Sequence, residues 1–239
     1  MSVTFPIADV TLRGLLGRRR TVLLALLAAL PVLVALLIAL TGGRPNADRF
    51  LETLVVRFVM PLLALIVGTS VLGSEIEDGT AVYLMVKPIA RWRIVVAKAI
   101  VAIGLTAILV VPAVIVTAGL LSGRGDTMTT IVAFSVACLA GGSAYAVAFL
   151  ALSVFTTRAF LIGLAYVLIW EGVLAGLLEG TKFLSIRQAT LGIAGALGVD
   201  FSDDPLAPAI SVLVIAVVLV GGLILASWRL TRFEIRGGD

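Results

Sequence analysis

The stretch TVLLALLAALPVLVALLIALT, residues Thr21–Thr41, contains no charged side chain. A helix of about 20 apolar residues crosses the ~30 Å hydrocarbon core of a bilayer, so this stretch is long enough to span a membrane. It is also about twice as long as the apolar region of an ordinary signal peptide, and Thr41-Gly42-Gly43 is a poor cleavage site. We therefore interpret it as the first membrane span.

The rest of the chain has the same character. Hydrophobic residues make up 61% of the 239 positions, against about 45–50% in a soluble domain, and the mean hydropathy is +1.19. The apolar runs are rich in Leu, Val and Ala without the alternation of a membrane β-strand. The sequence thus predicts an all-α integral membrane protein with a single domain, 1–239, and six transmembrane helices: 21–41, 54–73, 94–121, 129–155, 159–178 and 208–228.

The distribution of basic residues predicts the orientation of the chain. Lysine and arginine are retained on the cytoplasmic side of membrane proteins, and 12 of the 18 flank the spans on one side. We therefore expect a multi-pass protein of the cell (plasma or inner) membrane with both termini in the cytoplasm. The net charge of +4 reflects this topology and does not indicate nucleic-acid binding. The 12 predicted cytoplasmic residues are Arg13, Arg18, Arg19, Arg20, Lys87, Arg91, Arg93, Lys98, Arg158, Arg229, Arg232 and Arg236.

Three segments outside the spans are long enough to form structure. Residues 3–20 mix apolar and basic side chains, which is typical of an amphipathic interfacial helix. The loop 74–93 is the only sizeable cytoplasmic loop, and 179–207 is the longest extracellular segment. Within the latter, Ala189–Val199 is apolar but too short to span, so it predicts either a surface helix or a partial re-entry packed against protein.

The cytoplasmic loop concentrates charge in the sequence EIEDGTAVYLMVKPIARWR, residues 75–93. Acidic residues precede the helix-compatible Thr80–Val86, where they favour a helix N-terminus, and Lys87-Pro88 ends it. This predicts a short helix, acidic at one end and basic at the other, that presents Tyr83 to a cytosolic partner. An ordinary polar turn is the alternative.

The pattern Glu75-x-x-Asp78-Gly79-Thr80-x-x-Tyr83-Leu84-x-x-Lys87-Pro88-Ile89-x-Arg91, followed by Lys98, resembles the motif E-x-x-x-G-T-x-x-x-L-x-x-P-[VI]-x-R of ABC-2 type transporter permeases. Met60-Pro61-Leu62, Gly141-Gly142-Ser143-Ala144-Tyr145 and Leu168-Ile169-Trp170-Glu171 are also similar to this family. The resemblance covers essentially the whole chain.

The resemblance implies an ABC-2 (type V) exporter-like half that pairs in the membrane with a second copy or a homologous permease. Each half would bind one ABC ATP-binding subunit, two copies in all, through a coupling helix formed by the loop 74–93. A hydrophobic or amphipathic substrate, such as a lipid, drug or peptide, would be exported. The coupling residues implied by the family motif are Glu75, Gly79, Thr80, Pro88 and Arg91, and charge and exposure add Glu77, Asp78, Tyr83 and Lys87.

The sequence contains no Gly-x-x-x-x-Gly-Lys-[Ser/Thr] phosphate-binding motif. We therefore expect no enzymatic activity and no catalytic residue in this chain, with ATP and Mg²⁺ bound by the partner subunit. The absence of histidine and the single cysteine, Cys138, exclude imidazole-based metal sites and disulfides. Membrane lipids are the other expected partners, and we expect neither a cofactor nor a metal in this chain.

Two spans each carry one charge. Glu171 is expected about 20 Å along its span from Arg158, at 1.5 Å per residue, where an ionised carboxylate is costly and needs a cavity, a base or a proton. Glu171 is a gate or substrate-path residue, a packing contact, or a residue at the membrane interface. Arg57 is a possible partner, although it could instead extend to water. Gly172, Gly176 and Gly180 would align on one helical face, for packing within the chain or at a dimer seam.

Two other classes of function are compatible with parts of the sequence. An integral membrane enzyme could use Glu75, Glu77 and Asp78 as a carboxylate site at the lipid interface, but Asp78-Gly79 lacks the remainder of a CDP-alcohol phosphotransferase signature. A membrane scaffold or immunity protein could retain the form of a permease without transport. A partner ATPase would distinguish a transporter from both.

Overall fold

A computed structural model describes residues 18–43, 45–77, 91–121, 127–174, 179–201 and 205–231. These residues are helical for most of their length, and no strand occurs among them. The fold class predicted from the apolar runs is therefore confirmed at the level of an all-α protein with membrane-spanning helices.

The helices follow one another along the chain with short connections. In chain order they are α1, Arg18–Leu40; α2, composed of the consecutive segments Ala47–Phe50, Leu51–Val59 and Met60–Glu77; α3, Arg91–Leu121; α4, Thr127–Phe155; α5, composed of Ala159–Ala165 and Tyr166–Leu174; a 3₁₀ turn, Glu179–Leu184; α6, Ile186–Ala196; and α7, Pro208–Thr231. The segments Leu51–Val59 and Tyr166–Leu174 are π-helical.

Five of these helices are long and apolar enough to cross a membrane, namely α1, α2, α3, α4 and α7. The predicted fifth span, 159–178, corresponds to the shorter apolar helix Ala159–Gly172, and residues 175–178 lie outside the described part of the chain. The total of six spans therefore stays a prediction. So does the interfacial helix 3–20, because the described chain starts at Arg18, already within α1.

Helix α4 lies at the centre of the bundle, with α2, α3, α6 and α7 packed around it. Close approach to α2 depends on Gly68, where a Cβ would lie 2.7 Å from the carbonyl oxygen of Ala146. In contrast, α1 contacts mainly α3 and exposes a row of leucines. An apolar outer surface of this kind is expected of helices that face lipid.

Helix α6 is the apolar piece that the sequence left open between a surface helix and a partial re-entry. It is packed against α4 and α7, and most of its residues are buried. A Cβ on Gly141 of α4 would lie 2.0 Å from the Thr190 hydroxyl of α6. A Cβ on Gly192 would lie 2.1 Å from the Ser211 hydroxyl of α7. This packing favours the partial re-entry. Glycine at each contact lets the backbone of α6 lie close against the neighbouring long helix.

Candidate functional site

Glu171 lies in the π-helical part of α5 with only 1% of its surface exposed. Its Oε1 accepts hydrogen bonds from the Tyr166 hydroxyl and from the Ile186 backbone N–H, both at 3.0 Å. Its Oε2 accepts a 2.5 Å bond from the Ser185 hydroxyl. Both carboxylate oxygens thus have protein donors, which satisfies the requirement that a buried charge be hydrogen-bonded.

The donors place the carboxylate at the N-terminus of α6. Ser185 is the N-cap of that helix, and its hydroxyl accepts from the Gln188 N–H at 3.1 Å. A carboxylate beside the first N–H groups is favoured, because these groups lack intrahelical partners and carry the positive end of the helix dipole. Glu171 therefore joins α5 to the N-terminal end of α6.

Arg57, on α2, meets the same region of α5. Its Nη2 donates a 2.7 Å hydrogen bond to the carbonyl oxygen of Gly172, the residue after Glu171. Its guanidinium also lies 5.8 Å from the Phe58 ring centroid. Within the described residues no ion pair links Arg57 to Glu171, so the two predicted partners are neighbours joined through the backbone.

Arg57 and Glu171 both lie in π-helical segments, Leu51–Val59 and Tyr166–Leu174 respectively. At the end of the first segment the Met60 N–H bonds to the carbonyl of Val55, five residues back. Such i→i+5 turns are rare and often occur at functional sites, because they alter the direction of side chains and the availability of carbonyls. Periodicity of apolar residues in the sequence does not indicate them.

Arg187 is the second cation of the region, at the start of α6, and only 7% of its surface is exposed. Sequence reasoning counted it only as an extracellular basic residue. It lies close enough to the Tyr145 hydroxyl of α4 to interact with it electrostatically, as does Glu171. We call Tyr145, Tyr166, Glu171, Ser185 and Arg187 the Glu171 cluster.

Aromatic rings connect the cluster to α4. Tyr145 stacks on Phe149 with centroids 5.8 Å apart, and Phe149 contacts Tyr166 edge-on at 6.4 Å. The Tyr145 hydroxyl is buried, and among the described residues it has no hydrogen-bond partner. The rings thus form the apolar wall behind the carboxylate.

The cluster lies deep in the bundle. At one end of α4, the Thr130 hydroxyl donates a 2.8 Å bond to Asp48. Tyr145 comes fifteen residues later, which corresponds to about 22 Å along the helix at 1.5 Å per residue. The eleven residues of α6 span about 16 Å in the reverse direction, and Gly198, beyond the end of α6, lies against Thr129. The start of α6 is therefore remote from both ends of α4.

The structure describes few of the predicted coupling residues. Glu75 and Glu77 are in the last turn of α2, and Arg91 is the first residue of α3, but their side chains are outside the description. Residues 78–90, which include Asp78, Gly79, Thr80, Tyr83, Lys87 and Pro88, lie outside the described residues. Their role stays a prediction.

Lys98, in the second turn of α3, is a described residue that follows the loop 74–93. It is fully buried, and its Nζ donates a 2.7 Å hydrogen bond to the carbonyl oxygen of Val71. This bond joins α3 to α2 close to the two ends of the loop 74–93. Apart from its place after the family motif, the sequence did not distinguish Lys98 from a solvent-exposed basic residue.

Two of the three glycines predicted to share a helical face are described. Gly172 lies in the π-helical segment, and Gly180 lies in the 3₁₀ turn Glu179–Leu184, whereas Gly176 is outside the described residues. Their alignment on one face therefore stays a prediction. A Cβ on Gly172 would contact only the Val167 carbonyl oxygen, at 3.5 Å, so among the described residues no close helix contact depends on the missing side chain.

The profile of a family described as "ABC-2 family transporter protein" matches residues 16–179. The matched region includes α1 to α5, the loop 74–93, Arg57 and Glu171, and it ends before α6 and α7. The comparison with curated proteins found no match.

Proposed function

Because the chain belongs to the ABC-2 family of transporter proteins, we propose that it is the membrane-spanning permease subunit of an ATP-binding cassette exporter. The family match carries this proposal, since it covers residues 16–179 and the long apolar helices. Two ATP-binding subunits would dock on the cytoplasmic loop 74–93 of a permease dimer. The substrate would be hydrophobic or amphipathic.

The contacts of α2 suggest how movement at the loop would reach the interior. Lys98 joins α3 to α2 beside the loop, so a displacement there would move both helices together. Farther along α2, Arg57 bonds to the Gly172 carbonyl. Glu171, the preceding residue, holds the start of α6. Closure of the ATP-binding subunits would therefore move α2, and this movement would reach Glu171, which holds the N-terminus of α6.

The test is ATP hydrolysis and transport by the permease reconstituted with its ATP-binding subunit. We expect Arg91→Ala to lower the permease-dependent ATPase rate about tenfold, because loss of one docking contact worth about 1.4 kcal/mol corresponds to this factor. Arg93→Ala is the matched control, since Arg93 is exposed and its guanidinium lies over the Trp92 ring, outside the coupling motif.

Equal effects of Arg91→Ala and Arg93→Ala would contradict the coupling assignment. Failure of the chain to bind any ATP-binding subunit would instead favour a membrane scaffold, immunity protein or enzyme.

A further inference from the structure

The surroundings of Glu171 have more hydrogen-bond donors than acceptors. The Nε atoms of Arg57 and Arg187 and the hydroxyl of Tyr145 are buried without a hydrogen-bond partner in the described part of the chain. The Glu171 carboxylate already accepts from three other donors. The groups left over are those that would bind an acceptor-rich, negatively charged ligand.

Arg187 is the strongest indication of such a ligand. It is 93% buried, since 7% of its surface is exposed, and within the described residues it donates no hydrogen bond and forms no ion pair. A buried cation without a paired anion is strongly unfavourable. Its position becomes favourable if a negative group from outside the chain binds there.

The net charge of the region also favours a negatively charged ligand. Arg57 and Arg187 carry two positive charges, and Glu171 carries one negative charge, which leaves one positive charge in a region closed on the α4 side by aromatic rings. Guanidinium groups bind phosphate and carboxylate through paired N–H donors. The start of α6 adds the positive end of a helix dipole.

The outer surface of α5 indicates the form of the ligand. Leu168 and Ile169, two to three residues before Glu171, are exposed. They provide an apolar surface beside the polar region. A molecule with a charged head and an apolar tail could place the head at Arg187 and the tail against α5.

We propose that the first turn of α6, with Arg187 as its principal contact and Arg57 and Tyr145 beside it, binds the anionic phosphate or carboxylate head of an amphiphile. This proposal rests on the proposed function, because it assigns the substrate class of the same transporter. Glu171 holds the site together, and the guanidinium groups recognise the ligand.

The test is a binding titration on the full chain, purified without an ATPase in a neutral detergent. The probes are short-chain phosphatidylglycerol, phosphatidylcholine with identical tails, and inorganic phosphate, with thermal unfolding as the readout. We expect saturable stabilisation by phosphatidylglycerol at an affinity at least tenfold above that for phosphatidylcholine. Arg187→Met should weaken phosphatidylglycerol binding by about 30-fold, as truncation of a buried charge contact does.

Arg229→Met is the matched control. Arg229 also has a buried Nε without a partner in the described residues, but it lies over the Phe155 ring at the other end of α4. The Arg229→Met variant should bind phosphatidylglycerol with the same affinity as the unaltered chain. Arg187→Lys keeps the charge but loses the paired guanidinium donors, so it should weaken phosphatidylglycerol binding by less than Arg187→Met does but measurably, and it serves as the second test if the Met variant does not fold.

Equal affinities for the two lipids, or an unchanged affinity in Arg187→Met, would overturn the proposal. Inorganic phosphate binding as tightly as phosphatidylglycerol would overturn the assignment to an amphiphile. An ATPase rate stimulated by amphiphiles of any charge would support the transporter function while contradicting this site. Binding of phosphatidylglycerol that depends on Arg187, in a chain that does not stimulate any ATP-binding subunit, would support this site while contradicting the transporter function.

Discussion

The Glu171 cluster and the Lys98 contact are two buried charges with different surroundings. Lys98 bonds a backbone carbonyl of the neighbouring helix, whereas Glu171 collects donors from its own helix, from the N-cap of α6 and from the α6 backbone. Arg57 bonds the backbone carbonyl of the residue after Glu171, and Arg187 interacts electrostatically with Tyr145, as Glu171 does. The comparison suggests that Lys98 fastens two helices, while Glu171 organises a site on which a third element depends.

The largest expected effect is that of Glu171→Leu. This change leaves three donors, two of them buried, without their acceptor and removes a carboxylate from the bundle interior. We expect the free energy of unfolding to fall by about 3–5 kcal/mol, as when one partner of a buried charged network is removed. Thermal unfolding in detergent measures the change.

Glu171→Gln is the control for that experiment, because its carbonyl oxygen can still accept from the Ile186 N–H. Its loss of stability should be smaller. Equal losses in both variants would indicate that packing, and not hydrogen bonding, fastens α6.

The next effect tests whether α6 needs its close approach to α4. Gly141→Ala introduces a Cβ that would lie 2.0 Å from the Thr190 hydroxyl, so α6 must shift. Overpacking of this kind costs about 1–3 kcal/mol. Unfolding midpoints and anion binding should both fall, since the shift displaces the start of α6.

Gly221→Ala is its counterpart on α7, where a Cβ meets nothing within 4 Å. Alanine is favoured over glycine in a helix by about 1 kcal/mol, so this variant should be as stable as the original chain or more so. A decrease as large as that of Gly141→Ala would mean that the Thr190 contact is not the cause.

The smallest expected effect is that of Lys98→Met. The variant loses the hydrogen bond from Nζ to the Val71 carbonyl, and a hydrogen bond made by a charged group contributes about 1.5–3 kcal/mol. We expect the free energy of unfolding to fall by about 1.5 kcal/mol, less than for Glu171→Leu. A loss as large as that of Glu171→Leu would remove the distinction between the two regions.

Some features of the site could be predicted from the sequence. A single carboxylate in a long apolar run is conspicuous because its transfer into hydrocarbon is costly, so Glu171 was identified at once. The sequence Ser185-x-x-Gln188 matches a capping-box pattern, and with the structure in view it marks the start of α6.

Arg187 and Tyr145 could not be found in this way. Arg187 belongs to a segment in which a basic residue is ordinary, and its burial results from the packing of α6 against α4 and α7. The bond from Arg57 to the Gly172 carbonyl joins residues 115 positions apart. Local patterns contain no information about such a pair.

By itself, the sequence determined that the chain forms long helices of membrane-spanning character, and it indicated the ABC-2 family. The free energy of placing a segment in hydrocarbon is close to a sum over its residues, so composition and length suffice. Only the tertiary structure decided which groups surround Glu171 and which donors are left for a ligand. Hydrogen bonds and charge interactions depend on distances of a few ångströms between helices, and these distances are set by the packing of the whole bundle.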